Sequence, residues 1–139
     1  MRSITVEECM TRSVVSLNPC MEIVEAIRVL LKHNITAAPV VNEDNGLVGI
    51  LSETDCLQGT FTGSYYSQGS GLVSEFMEQN VVTARCSESI MDVYERCMAE
   101  KALRVPVLNE DGLIAGMLSP KDLMTAVLEF YEKPIKTTA

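Results

Sequence analysis

No stretch of this 139-residue sequence approaches the roughly 18–20 consecutive apolar residues that a membrane span needs. The N-terminus carries no basic segment leading into an apolar run, so a secretory signal is not expected. The cysteines lack a pairing pattern: Cys9, Cys20, Cys56, Cys86 and Cys97 are odd in number and form no C-x-x-C. That spacing suggests neither a disulfide framework nor a zinc knuckle, and the thiols are expected as small core or boundary side chains in a reducing compartment. Histidine is limited to His33, near the end of an expected helix, where a cation complements the dipole. A catalytic Cys/His pair therefore has no local signature behind it. Positive charge is scarce too, with 11 basic residues against 19 acidic ones and a net charge of −8. General nucleic-acid binding, which relies on a basic surface, is not expected. The scattered carboxylates read as a solvated surface, and the protein reads as cytoplasmic.

What is present is enough for a packed fold. Apolar residues make up 47% and charged residues 22% of the chain, a soluble globular composition. The length fits one ordinary domain, or two small units that share a core. The eight methionines read as core filler rather than a partner groove.

An internal repeat organises the chain. At an offset of 67 residues Met10 meets Met77, Val14-Val15 meets Val81-Val82, and Pro39-Val40 meets Pro106-Val107. Asn42-Glu43-Asp44 falls on Asn109-Glu110-Asp111, Leu51-Ser52 on Leu118-Ser119, and Asp55 on Asp122. With Ile23 on Ile90 and Gly49 on Gly116, 13 identities fall in the 48 positions from 10 to 57, without a gap.

Each copy predicts the same elements. A valine-rich strand is expected at Ser13 to Ser16 and at Asn80 to Thr83. In copy one a helix follows, with Ile23, Ile27, Leu30 and Leu31 at helical spacing and Val24 and Ala26 widening the apolar face. Pro19 suits its first turn and Asn34 its stop. In copy two Ser87 is the expected N-cap, and Ile90, Tyr94, Cys97 and Met98 the buried face. Two short apolar runs then flank Asn45-Gly46, with Asp111-Gly112 nearly equivalent, which is a hairpin signal. A last helix starts at Ser119-Pro120 and carries Leu123, Val127 and Phe130 on one face. Its counterpart from Ser52 is weakened by Gly59 and Gly63 and ends in the loop Gln68-Gly69-Ser70-Gly71. The expected fold is α/β, two β-α-β-β-α repeats related by pseudo-two-fold symmetry around a shared core. The repeats span 8–64 and 75–131, with a connector at 65–74 and a flexible tail at 132–139.

The stretch "GILSETDC", 49 to 56, and its copy "GMLSPKDL", 116 to 123, carry the chemical signal. Ser52 and Asp55, like Ser119 and Asp122, fit a helix capping box. The same side chains suit a ligand with hydroxyls and phosphate: a carboxylate accepts from paired hydroxyls, and a helix N-terminus welcomes an anion.

The doubled element order, the Pro-Val after the first helix and the Gly-h-h-Ser-x-x-Asp run, with h apolar, resemble a tandem pair of cystathionine-beta-synthase (CBS) domains, a Bateman module. The resemblance covers residues 8 to 131. It implies regulatory binding of an adenine nucleotide (AMP, ADP or ATP), or a related adenosyl ligand, in clefts between the repeats, with or without magnesium. By that resemblance Ser52, Thr54 and Asp55 serve one cleft, with Thr36, Ala37, Ala38 and Pro39 on the base side. Ser119, Lys121 and Asp122 serve the other, with Leu103, Arg104, Val105 and Pro106. The resemblance further implies a homodimer and a regulated partner protein.

The two copies differ in charge. Arg104 and Lys121 stand where copy one has Ala37 and Thr54, so the second site is expected to favour the more phosphorylated ligand or to bind more tightly. Tyr65 and Tyr66 are expected to pack on a sheet edge, the alternatives being stacking on adenine or a place at a subunit interface. The leading function is a stand-alone regulatory module without catalysis. Its rivals are a small nucleotide-hydrolysing enzyme and a ligand-free interaction module in which Ser-x-x-Asp only caps a helix.

Overall fold

The computed structural model describes residues 4–61, 71–102 and 104–132. Tyr65, Tyr66, Gly63, the loop 68–70, Leu103 and the tail from 133 lie outside them. In chain order the elements are α1 (Val6–Cys9), α2 (Ile23–His33), β1 (Ala37–Val41), β2 (Leu47–Ser52), α3 (Glu53–Phe61) and α4 (Val73–Phe76). They continue with β3 (Ala84–Arg85), α5 (Ile90–Glu100), β4 (Val105–Leu108), β5 (Ile114–Leu118) and α6 (Pro120–Glu132). Contacts divide the chain into a first unit, Ser13–Val81 with Asp111–Ile114, and a second, Met1–Arg12, Val82–Glu110 and Ala115–Ala139. Among the described residues no helix is long and apolar enough to cross a membrane.

In the first unit α2 buries Ile23, Ala26 and Leu30, one face at helical spacing. Ala26 at the centre of that face turns Leu31 outward, where it is 76% exposed, and Val24 is exposed as well. Both were expected in the core. The helix stops at Asn34, whose left-handed backbone (φ 54°, ψ 46°) sends its amide back to the carbonyls of Leu30 and Leu31. Pro19 lies in a turn ahead of the helix rather than in its first turn. Strands β1 and β2 pair antiparallel, Ala38 opposite Leu51 and Val40 opposite Gly49. Their turn is organised by Asn42, whose Oδ1 accepts from the amides of Asp44 and Gly46, each at 2.9 Å, with Asn45 at φ 65°. Pairing expected at 13–16 begins instead at Leu17: its amide donates to Pro39 O, and Val41 N donates to Leu17 O, both at 2.9 Å. Leu17 is buried while Val14 and Val15 are only half-buried, so burial selects the residue after the valine pair. Helix α3 forms in spite of Gly59, because that glycine is where Phe76 of α4 approaches; a Cβ there would meet Phe76 Cδ2 at 3.1 Å.

The second unit repeats the plan. Ala84 of β3 pairs in parallel with Val107 of β4, and β4 lies between β3 and β5. Here again the pairing falls after the valines rather than over 80–83. The N-cap of α5 is Ser89, not Ser87: the Ser89 hydroxyl accepts from Met91 N at 3.1 Å. The buried face is Val93 and Cys97, while Tyr94 and Met98 are exposed. Val93 occupies the repeat position of Ala26, which fixes the same helix rotation in both copies. On α6 only Leu123 of the expected face is half-buried. Ala126 is the buried residue, and Val127 and Phe130 point to solvent.

Buried side chains form two clusters where one shared core was expected. The first holds Leu17, Ile23, Leu30, Val40, Leu51 and Val73, and the second Val6, Val93, Val105, Val107 and Leu118. Each cluster is completed by a short helix that precedes the other repeat in sequence. α1 packs on β3 and α6, with Val6 N donating to Glu88 O at 2.8 Å. α4 packs on β2 and α3, with Val73 N donating to Met21 O at 2.8 Å.

Candidate functional site

In the first unit β2 ends at Ser52 and α3 begins at Glu53, so Asp55 falls in the first helical turn. Ser52 N donates to Asp55 Oδ2 at 2.9 Å, and Asp55 N donates to Ser52 Oγ at 3.2 Å. This is a reciprocal capping box. The Ser52 hydroxyl also lies 2.9 Å from Thr54 Oγ1. Thr36 is drawn in through its backbone, its carbonyl accepting from Glu53 N at 2.9 Å, and Ala37 stands opposite Ser52 in the ladder. Ala37, Ala38 and Pro39 are buried, so only their backbone is available beside the site. Among the described residues, Asp55 Oδ1 accepts no hydrogen bond.

The second unit has the same box with one addition. Ser119 N donates to Asp122 Oδ2 at 2.9 Å, the Ser119 hydroxyl donates to that oxygen at 3.0 Å, and Asp122 N donates to Ser119 Oγ at 3.4 Å. Pro120 opens α6, where a missing N–H costs nothing. Thr11 Oγ1 donates to the other carboxylate oxygen, Asp122 Oδ1, at 2.9 Å. Thr11 is held there by a two-way bridge, its amide to Met117 O at 2.8 Å and Met117 N to Thr11 O at 2.9 Å. Its repeat counterpart, Glu78, makes the same backbone bridge to Ile50, but its carboxylate turns to Asn80 N at 3.1 Å. Thr11 was missed in the sequence because it has no identical residue at the repeat offset and lies far along the chain from Asp122.

Arg104, just before β4, and Lys121, in the first turn of α6, are both exposed, and Val105 and Pro106 are buried. The structure therefore gathers Ser52, Thr54, Asp55 and the Thr36 backbone in one unit, and Ser119, Asp122 and Thr11 in the other. Leu103 lies outside the described residues.

The thiols do not add chemistry to either site. Burial pushes the Cys56 thiol up to about 11, with the Asp55 charge adding to the effect, and burial followed by the Asp122 charge raises Cys9. Both are held as neutral thiols rather than nucleophilic thiolates. Among the described residues no three His, Cys, Asp or Glu side chains gather into a metal site.

Two boxes at equivalent helix starts, each at the end of a helix-strand-strand run, match a known domain: the family model for the CBS domain fits residues 6–59 and 73–129. The chain belongs to the CBS-domain family. The chain is 29% identical over 125 residues to homoserine O-acetyltransferase of Methanohalobium evestigatum, covering 90% of this chain and 24% of that one. It is 30% identical over 115 residues to inosine-5'-monophosphate dehydrogenase of Halalkalibacterium halodurans, covering 82% of this chain and 22% of that one. The CBS chain thus spans less than a quarter of the length of these curated relatives. Among solved structures it resembles CBSX2 of Arabidopsis thaliana, a CBS-pair protein. With CBSX2 in complex with AMP the TM-score is 0.81 at 25% identity, over 92% of this chain and 98% of that one.

Proposed function

We propose that this CBS pair is a regulatory module that binds an adenine nucleotide and passes its occupancy to a partner protein. The observation that carries the reading is the open Asp55 carboxylate oxygen at the start of α3, in a chain that shares its fold with an AMP-bound relative. A carboxylate with free acceptor positions suits the two hydroxyls of a ribose, and the amides of the adjacent helix N-terminus suit a phosphate. In the first unit Asp55 takes the ribose, Ser52 and Thr54 approach the phosphate, and the backbone of Thr36 to Pro39 meets the base. In the second, Asp122, Ser119 and Lys121 play those parts, and the backbone of Leu103, Arg104, Val105 and Pro106 meets the base. The exposed charges of Arg104 and Lys121 favour a more phosphorylated ligand there, ADP or ATP with magnesium on the phosphates. The repeats run over 8–64 and 75–131. The protein acts in the cytoplasm as a homodimer, and the regulated protein is an enzyme, as the enzymatic relatives that contain a similar segment suggest.

A thermal-shift panel of AMP, ADP, ATP with and without magnesium, and S-adenosylmethionine tests this. At 100 times its Kd a ligand confined to the folded state adds ~2.7 kcal/mol, which raises the midpoint of a chain this size by about 10 °C. Asp55→Ala with Asp122→Ala together should abolish the shift. No shift from any compound would leave Ser-x-x-Asp as a capping device and the protein as a ligand-free interaction module.

A further inference from the structure

We infer that the two sites fill in order, the Asp55 site first, because Thr11 latches the second carboxylate. The inference rests on the adenine-nucleotide reading and concerns how that reading is executed. A carboxylate offers about four acceptor positions. Asp122 has spent three of them on its own chain: Ser119 N and Ser119 Oγ on Oδ2, and Thr11 Oγ1 on Oδ1. Among the described residues Asp55 has spent one, on Ser52 N, and the Ser52 hydroxyl oxygen is paired with Thr54 Oγ1 at 2.9 Å rather than with the carboxylate. The first site therefore accepts both hydroxyls of a vicinal diol with nothing displaced. The second has room for one, and taking the other requires Thr11 or the Ser119 hydroxyl to leave.

Thr11 is the element specific to this latch. It reaches Asp122 from the bridge to Met117, outside the helix that carries the Ser-x-x-Asp run. The equivalent bridge in the first unit presents Glu78, whose carboxylate has no proton to give an aspartate and is turned to Asn80 N. The charges of Arg104 and Lys121 gain with each phosphate a ligand adds, so they weigh least for a monophosphate, where the acceptor count at the ribose end sets the order.

Isothermal titration of the whole chain with AMP reads the order directly. The parent should show two affinities, the tighter lost in Asp55→Asn and the weaker lost in Asp122→Asn. Thr11→Val should tighten the weaker one about fivefold, the worth of one displaced hydrogen bond, and leave the tighter one unchanged. Thr11→Ser keeps the hydroxyl and should behave as the parent. Two equal affinities, a tight site that depends on Asp122, or a weaker site unmoved or loosened by Thr11→Val would each overturn the latch while leaving nucleotide binding intact. No heat from AMP in the parent would overturn the nucleotide reading itself, and the inference with it.

Discussion

Gly49 and Gly116 occupy the same position in their repeats, three residues before the serine of each box, and each lies under a methionine. A Cβ at Gly49 would sit 2.7 Å from Met77 Sδ and 3.0 Å from Glu78 O; at Gly116 it would sit 2.7 Å from Met10 Sδ and 2.8 Å from Thr11 O. The methionine is flexible and yields, but the carbonyl belongs to a bridge and does not. Gly116→Ala is therefore expected to cost about 1–3 kcal/mol, the usual range for overpacking, and Gly49→Ala somewhat less because its backbone contact is longer. Urea midpoints of the two variants check both the cost and its order; a Gly116→Ala midpoint equal to the parent's would remove the steric argument. The glycine is legible in the sequence, but its reason is not. In the fold it makes room for the bridging segment that brings in Thr11 or Glu78. Ser52, Asp55, Ser119 and Asp122 are legible because the capping box is short-range chemistry. Thr11 is not, since its partner lies 111 positions away.

Between elements, the second unit carries a polar clamp that the first lacks. Arg96 of α5 donates to both carboxylate oxygens of Glu88, each at 2.9 Å, and to Thr83 O at 2.8 Å, while Glu88 Oε1 also accepts Arg85 N at 2.8 Å. The clamp ties the helix to the strand β3 that precedes it. At the matching positions the first unit has Met21 and Val29, packed against its core. The hydrogen bond from Arg96 holds the Glu88 carboxyl below its ordinary range, outweighing the opposing effect of burial. A carboxyl lowered in the folded state stabilises above its unfolded value, and that contribution fades as pH falls through the lowered one. The side chains are 40% and 28% exposed, so the discounted worth is about 1 kcal/mol or less. Arg96→Met should lower stability by that amount at neutral pH and by distinctly less near pH 3. Denaturant midpoints at the two pH values decide it, and a deficit that is constant with pH would refute the clamp. The helices themselves are legible from apolar spacing. Their rotation is not, because it turns on Ala26, a small side chain with little hydrophobic signal beside Leu31, and on Val93, whose neighbours Tyr94 and Met98 continue an equally regular helical spacing from Ile90.

For the molecule as a whole, the proposed homodimer has a surface suited to it. Helices α5 and α6 line a groove of about 610 Å³ with Ile90, Met91, Tyr94, Met124, Val127 and Leu128 among its walls. Met124 is 65% and Leu128 56% exposed. Apolar side chains gathered in this way gain by being covered, and a second copy brings an identical apolar groove. Against that gain stands charge, since each chain carries −8 and two copies repel. Salt screens the repulsion, with a Debye length falling from about 10 Å at 0.1 M to 3 Å at 1 M, and leaves apolar burial in place. Dimerisation through this face should therefore tighten as salt rises, the reverse of an association built on ion pairs. Leu128→Glu puts a charge in the groove without disturbing a buried side chain, so it should yield a folded monomer that still binds AMP. Sedimentation velocity at two salt concentrations separates the cases. A parent that stays monomeric at tens of micromolar, or a dimer that loosens with salt or survives Leu128→Glu, would place the contact elsewhere or remove it.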